Sequence, residues 1–225
     1  MDKIDLEEMI LYKDDDILVV AKPAGISVTS EGWDQSKPCL HHLLREPYPD
    51  VMIAHRLDKD TSGVMVFARS ADAHRVLSAQ FEHHLVQKKY LALVNGVPDW
   101  EETSARHRLR VDVGKKHRTV VDHAHGMNSE TLFKVIEKFN GYALVSAIPK
   151  TGRTHQIRVH LYAKGFPIVG DPLYGEYSSK LIGRAALHAA EIAFEHPAGQ
   201  GWMRFECPLP PDIMDAIQKI KAGKG

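Results

Sequence analysis

The chain has 225 residues, with 29 Lys plus Arg against 29 Asp plus Glu and a further 14 His, so its formal net charge is zero. Apolar residues make up 44% and charged residues 26%, an ordinary globular balance that excludes whole-chain disorder, collagen and coiled coil. A protein that coats nucleic acid by overall charge is excluded too, although a local basic groove is not.

Taken in chain order, the first strong element is Ile17 to Ala21, an apolar run preceded by Asp14-Asp15-Asp16 and stopped by Lys22-Pro23-Ala24-Gly25. That pattern predicts a buried strand ending in a turn. Val64 to Ala68 repeats it after Thr61-Ser62-Gly63, and Tyr90 to Val94 gives a third strand ended by Asn95-Gly96. Between these two, Ala73, Val76, Leu77, Phe81 and Leu85 follow helical spacing over 72–87, with Ser70 as N-cap. Leu132 to Phe139 and Tyr142 to Ile148 read as a hairpin joined by Asn140-Gly141, both at the positive φ of a type I′ turn. A helix follows over Thr154 to Lys164, capped by Gly165. Leu187 to Glu195 and Met203 to Cys207 are two more strands, and Pro210-Pro211-Asp212 opens a last helix through Ile213, Ile217 and Ile220. Many strands and about three helices, with hairpins rather than strict alternation, predict an α+β fold with a mixed, largely antiparallel sheet. Nothing splits the chain, so a single domain over 1–225 is expected.

Cys39 and Cys207 are far apart and outside any Cys-x-x-Cys pair, which argues against a disulfide scaffold or a thiolate zinc site. The acidic start resembles no signal peptide, and no run approaches the ~20 apolar residues of a membrane helix. The expectation is a soluble, cytoplasmic protein with no membrane association.

Four stretches could carry chemistry. His55-Arg56-Leu57-Asp58-Lys59-Asp60 puts a histidine, two cations and two carboxylates directly before a buried strand. Its bland reading is a solvated turn; its functional reading is a carboxylate kept ionised by neighbouring cations, and composition does not choose between Asp58 and Asp60. Pro149 to His160 is basic, follows a strand and opens a helix, so it is either a phosphate-binding helix start or an exposed basic face. Arg106 to Arg110 and Lys115 to Arg118 form a basic, His-rich segment, read as a polyanion-binding face or as solvated surface. Asp122-His123-Ala124-His125 has a spacing that zinc can use, but no further ligand set accompanies it, so no metal is assigned. No dinucleotide fingerprint or phosphate loop occurs, so no cofactor is expected.

In order along the chain, these stretches resemble the RluA-type family of RNA pseudouridine synthases. The opening strand with Lys22-Pro23-Ala24-Gly25, the loop His55-Arg56-Leu57-Asp58 with Thr61-Ser62-Gly63, and Lys89-Tyr90 all carry the resemblance. So do Gly152-Arg153-Thr154-His155-Gln156-Ile157-Arg158, Gly170-Asp171-Pro172-Leu173-Tyr174-Gly175 and Leu187-His188-Ala189. The resemblance implies Asp58 as the catalytic aspartate, Arg56 entering the RNA to displace the target uridine, Tyr90 stacking on the flipped uracil, and Arg158 pairing with Asp58. It also implies a long sheet with a central cleft, RNA (tRNA or rRNA) as partner, no small-molecule cofactor, a monomer, and no separate N-terminal RNA-binding domain. The segment from Trp100 to Gly126 matches least, and Met127 stands near where the family often has Lys; target-specific contacts are expected in that segment. The rival expectation is a non-catalytic RNA-binding or chaperone module on the same scaffold, against which stands the joint presence of Asp58, Tyr90 and Arg158.

Overall fold

The computed structural model describes residues 5–30, 38–114, 118–175 and 179–223. They fall into two units, Met1–Lys88 with Ala189–Pro208, and Lys89–His188 with Leu209–Gly225. In the first unit, α1 (Leu6–Met9) and β1 (Ile10–Lys13) lead to a turn built by Asp14. Its Oδ1 accepts from the amides of Asp16 and Ile17 at 2.9 and 2.8 Å, so a side chain supplies the acceptor the tight turn lacks. β2 (Ile17–Lys22) then runs almost wholly buried, as an unbroken apolar run requires. After α2 (Leu40–Arg45) and the two-residue β3 (Met52–Ile53), β4 (Ser62–Ala68) is buried along its whole length. β2 and β4 pair antiparallel from Ile17 opposite Ala68 to Lys22 opposite Gly63; β1 flanks β2, and β3 pairs with the end of β4.

α3 (Ala71–Glu82) is capped as predicted: Ser70 Oγ accepts from Ala73 N at 3.1 Å. Ala73 and Leu77 pack on Ile17, Val19, Val64 and Val66 of the sheet. Full burial of Leu77 contributes roughly 2–3 kcal/mol of hydrophobic stabilisation. The helix is shorter than its apolar spacing suggests. His84 takes the left-handed conformation at φ 59°, and Leu85, expected on the buried face, is 58% exposed. Two consecutive histidines and the start of the next strand end the helix before the periodic pattern does.

β5 (Gln87–Asn95) carries the chain into the second unit. There β6 (Glu102–Val113), β7 (Arg118–Val121), β8 (Met127–Lys138) and β9 (Tyr142–Pro149) build an antiparallel sheet in the order β5-β9-β8-β6-β7. On β8, Ser129, Thr131, Phe133 and Val135 are buried in strict alternation, the period of a half-buried strand. The β8–β9 hairpin forms where expected, but only Gly141 has positive φ (76°), so the type I′ reading with Asn140 also positive does not hold. α4 (Gln156–Ala163) is the predicted helix, with Gly165 at φ 84° after its end. β10 (Leu187–Glu195) returns to the first unit, where it neighbours β4 and pairs antiparallel with β11 (Trp202–Glu206). α5 (Pro211–Lys221) belongs to the second unit and buries Ile213, Ala216 and Ile220 against Leu93, Val145 and Leu187. The result is the expected α+β class, with five helices among the described residues where about three were read.

Candidate active site

The loop carrying Arg56 and Asp58 joins β3 to β4. His55 fixes its start. The imidazole Nε2 accepts from Val66 N at 3.1 Å, serving β4 where the short β3 has ended, and its ring stacks on Phe81 of α3 at 4.3 Å. Desolvation, with Lys88 nearby as a lesser cause, pulls its pKa down to about 3, so the ring is neutral and Nδ1 carries the hydrogen. Arg56 is exposed, Leu57 is buried, and Asp58 after them is half-buried. Asp58 O accepts from Thr61 N at 3.1 Å, closing the turn that leads into β4.

Lys22 fixes the far side of the same loop. It is only 1% exposed, and its Nζ donates to Lys59 O at 3.0 Å and Pro23 O at 2.8 Å, while Gly25 N donates to Lys59 O at 2.9 Å. The Lys-Pro-Ala-Gly turn, which sequence marks as a strand end and a family-like motif, clamps the carbonyl next to Asp58. A buried ammonium needs such acceptors, because an unpartnered one would be costly. Gly63 lies just beyond. A Cβ there would stand 2.1 Å from Ala189 O on β10, so only glycine lets β4 and β10 approach this closely.

Tyr90 and Arg158 lie in the second unit. Tyr90 sits on β5 opposite Ala147 of β9, its ring packed on the core. Arg158 is on α4, 7% exposed, and its fork grips Asp171: Nε to Oδ2 at 2.7 Å and Nη2 to Oδ1 at 2.8 Å. Asp171 is fully buried, and its Oδ1 also accepts from the amides of Leu173 and Tyr174. Burial alone would raise this carboxyl; the Arg158 hydrogen bond and charge, with the two amides, outweigh it and hold the pKa below its usual value. Asp171 was part of a family-like stretch in the sequence, but no spacing rule pointed to it as the partner of Arg158.

The start of α4 is held by a closed set of polar contacts. Gln156 Nε2 donates to Glu130 O and Thr131 Oγ1, and its Oε1 accepts from Thr151 Oγ1 and Arg153 N. His160 bridges Thr131 Oγ1 and Ser129 Oγ at 2.9 Å each, and Ser129 Oγ donates onward to His107 O. The chain of donors makes Nε2 the protonated nitrogen of His160. Desolvation first, then His107 and Lys164, lowers its pKa to about 4. His155, at φ 55°, is a strained helix N-cap whose Nδ1 meets Tyr174 Oη at 3.1 Å.

The basic segment is less free than its composition implies. Arg106 pairs with Glu130, Arg110 with Asp122, and Arg108 donates to the Gly126 and His123 carbonyls. Asp122 also accepts from the Ala124 and His125 amides, so it builds a turn. Among the described residues no three His, Cys, Asp or Glu side chains converge on a metal position. Lys115, Lys116 and His117 lie outside the described residues. None of the described helices is long and apolar enough to cross a membrane.

Comparison with known proteins decides the family. The model of the RNA pseudouridylate synthase family matches residues 16–163. The chain belongs to this family. It is 37% identical to ribosomal large subunit pseudouridine synthase C of Vibrio vulnificus, over 98% of this chain and 71% of that one. It is 36% identical to the dual-specificity RNA pseudouridine synthase RluA of the same organism, over 92% of this chain and 86% of that one. Among solved structures, human RNA pseudouridylate synthase domain containing 1 superposes with a TM-score of 0.76 at 29% identity, over 92% of this chain and 86% of that one. A pseudouridine synthase is an isomerase: it breaks the bond from uracil N1 to ribose, turns the base and rejoins it through C5.

Proposed function

We propose that the chain converts uridines in structured rRNA, tRNA or both to pseudouridine, with its two units working as one cofactor-free catalytic domain. Asp58 is the carboxylate that assists breaking and remaking of the glycosidic bond. Arg56, exposed on the same loop, enters the RNA and fills the place of the displaced base, whose unstacking costs a few kcal/mol. Tyr90 stacks on the extruded uracil, worth roughly 1–3 kcal/mol. Arg158 orients Asp58 and keeps it charged. During the reaction the hydrogen on C5 leaves to solvent and N1 gains one, so the product is an isomer and no donor is consumed. The observation that carries this reading is the clamped loop, in which His55 and Lys22 immobilise the backbone on both sides of Asp58. Cys39 and Cys207, neither of them in a disulfide, fit a reducing cytoplasmic setting.

The test is tritium release from RNA labelled at uridine C5, using unmodified rRNA and tRNA transcripts. Wild type should release tritium from at least one pool, and Asp58→Asn should be slower by about a thousandfold or more. Equal release by both proteins removes Asp58 from the chemistry; no release by wild type from either pool rejects the substrate assignment.

A further inference from the structure

We infer that Arg118, at the start of β7, receives a backbone phosphate of the RNA substrate. This rests on the RNA reading above and adds a binding residue to it. Its guanidinium carbon lies 4.7 Å from the ring centroid of Tyr174 and 5.8 Å from that of Tyr162. Tyr174 is itself immobile: its hydroxyl accepts from Thr119 N at 2.8 Å and donates to Thr119 O at 3.0 Å, besides meeting His155. The two rings therefore flank the guanidinium before any ligand arrives.

What the rings do not supply is an acceptor. Arg106, Arg110, Arg158 and Arg204 each pair with a carboxylate. Among the described residues, Arg118 has no ion-pair partner, and its Nε is buried without a hydrogen bond. Arg158 lies 5.2 Å from the same Tyr174 ring, but Asp171 neutralises it, whereas no carboxylate among the described residues pairs with Arg118. A half-buried cation without a counterion costs stability, so its retention between the two rings points to an anion from outside the chain. A planar fork of N–H donors matches a phosphate in particular. Tyr162 is 51% exposed beside it, which adds an aromatic face for a neighbouring base, the combination that single-stranded nucleic-acid sites use. Target contacts are expected over 100–126, and among the described arginines of that segment Arg118 is the one with neither a carboxylate nor a backbone carbonyl to receive its donors.

The experiment measures binding of unmodified rRNA and tRNA transcripts by filter retention between 50 and 200 mM salt, together with tritium release. Arg118→Gln should bind about tenfold more weakly at 100 mM salt, with the slope of log affinity against log salt shallower by about one phosphate contact. The loss should fall on KM more than on kcat. Arg118→Lys keeps the charge and should restore the slope. Arg118→Gln with wild-type affinity and slope overturns the inference while leaving the function standing. Wild type that neither binds nor converts RNA overturns both. If Arg118→Gln loses its cooperative melting transition, Arg118→Lys decides alone: melting like wild type with the shallow slope overturns the phosphate assignment.

Discussion

Arg158 and Asp171 face each other through two hydrogen bonds of 2.7 and 2.8 Å, with both side chains less than a tenth exposed. Such a pair adds little net stability compared with a well-packed apolar pair, because both charges have been desolvated. Its effect is geometric: the guanidinium proposed to orient Asp58 has no freedom to swing.

Asp171→Ala leaves a buried guanidinium without its carboxylate and is expected to cost about 3–5 kcal/mol in chemical denaturation. The double variant Asp171→Leu with Arg158→Met should recover most of that stability and none of the activity. A single-variant cost below about 1 kcal/mol would show that water reaches the site and that the clamp is not rigid.

Lys22→Met keeps the volume of the side chain but removes the donor to Lys59 O. The loop carrying Asp58 then loses its anchor, and kcat is expected to fall about tenfold or more while the fold survives, because misplacement of a reacting group by an ångström is that expensive. Steady-state kinetics alongside a melting curve checks this. Unchanged kcat would mean that His55 and the β4 ladder hold the loop unaided.

Stability should fall on acidification. His55 and His160 have folded pKa values of about 3 and about 4, below the ~6.5 of the unfolded chain. Between these limits the unfolded state binds more protons, so stabilisation is complete above about pH 6.5 and drains away toward pH 4, at up to about 1.4 kcal/mol per pH unit for each histidine. Urea denaturation at pH 7, 6 and 5 would reveal it, and His160→Asn should flatten the profile. A wild-type profile already flat would place both rings in contact with water.

Gly63→Ala cannot be accommodated without moving β4 or β10, since the new methyl would meet Ala189 O at 2.1 Å. We expect a loss of more than about 4 kcal/mol or no folded protein. Gly183→Ala is the control: nothing lies within 4 Å of its Cβ position, and a change within about 0.5 kcal/mol is expected. Comparable melting temperatures for the two variants would refute the close approach.

Sequence alone was enough for the buried strands. The runs from Ile17, Val64, Tyr90 and Leu187 each became a strand, because an apolar stretch of that length ended by turn residues has few other ways to leave water. Ser70 and Gly165 marked helix ends for equally local reasons. The polar strands escaped that reading. β6 alternates charged and small residues, burying only Ala105 and Leu109 fully, and a pattern so weak becomes a strand only because β8 lies beside it.

The motifs around Asp58 and Arg158 were likewise legible, since a family's residue order is a property of sequence. Their partners were not. Lys22 is 37 residues from Lys59, Arg158 is 13 from Asp171, and the rings that hold Arg118 come from α4 and from the turn after it. Chain spacing determines which side chains share a strand face or a helix turn. Which charge meets a carboxylate, and which is left for a ligand, depends on distances between elements far apart in the chain, and those exist only once the core has packed.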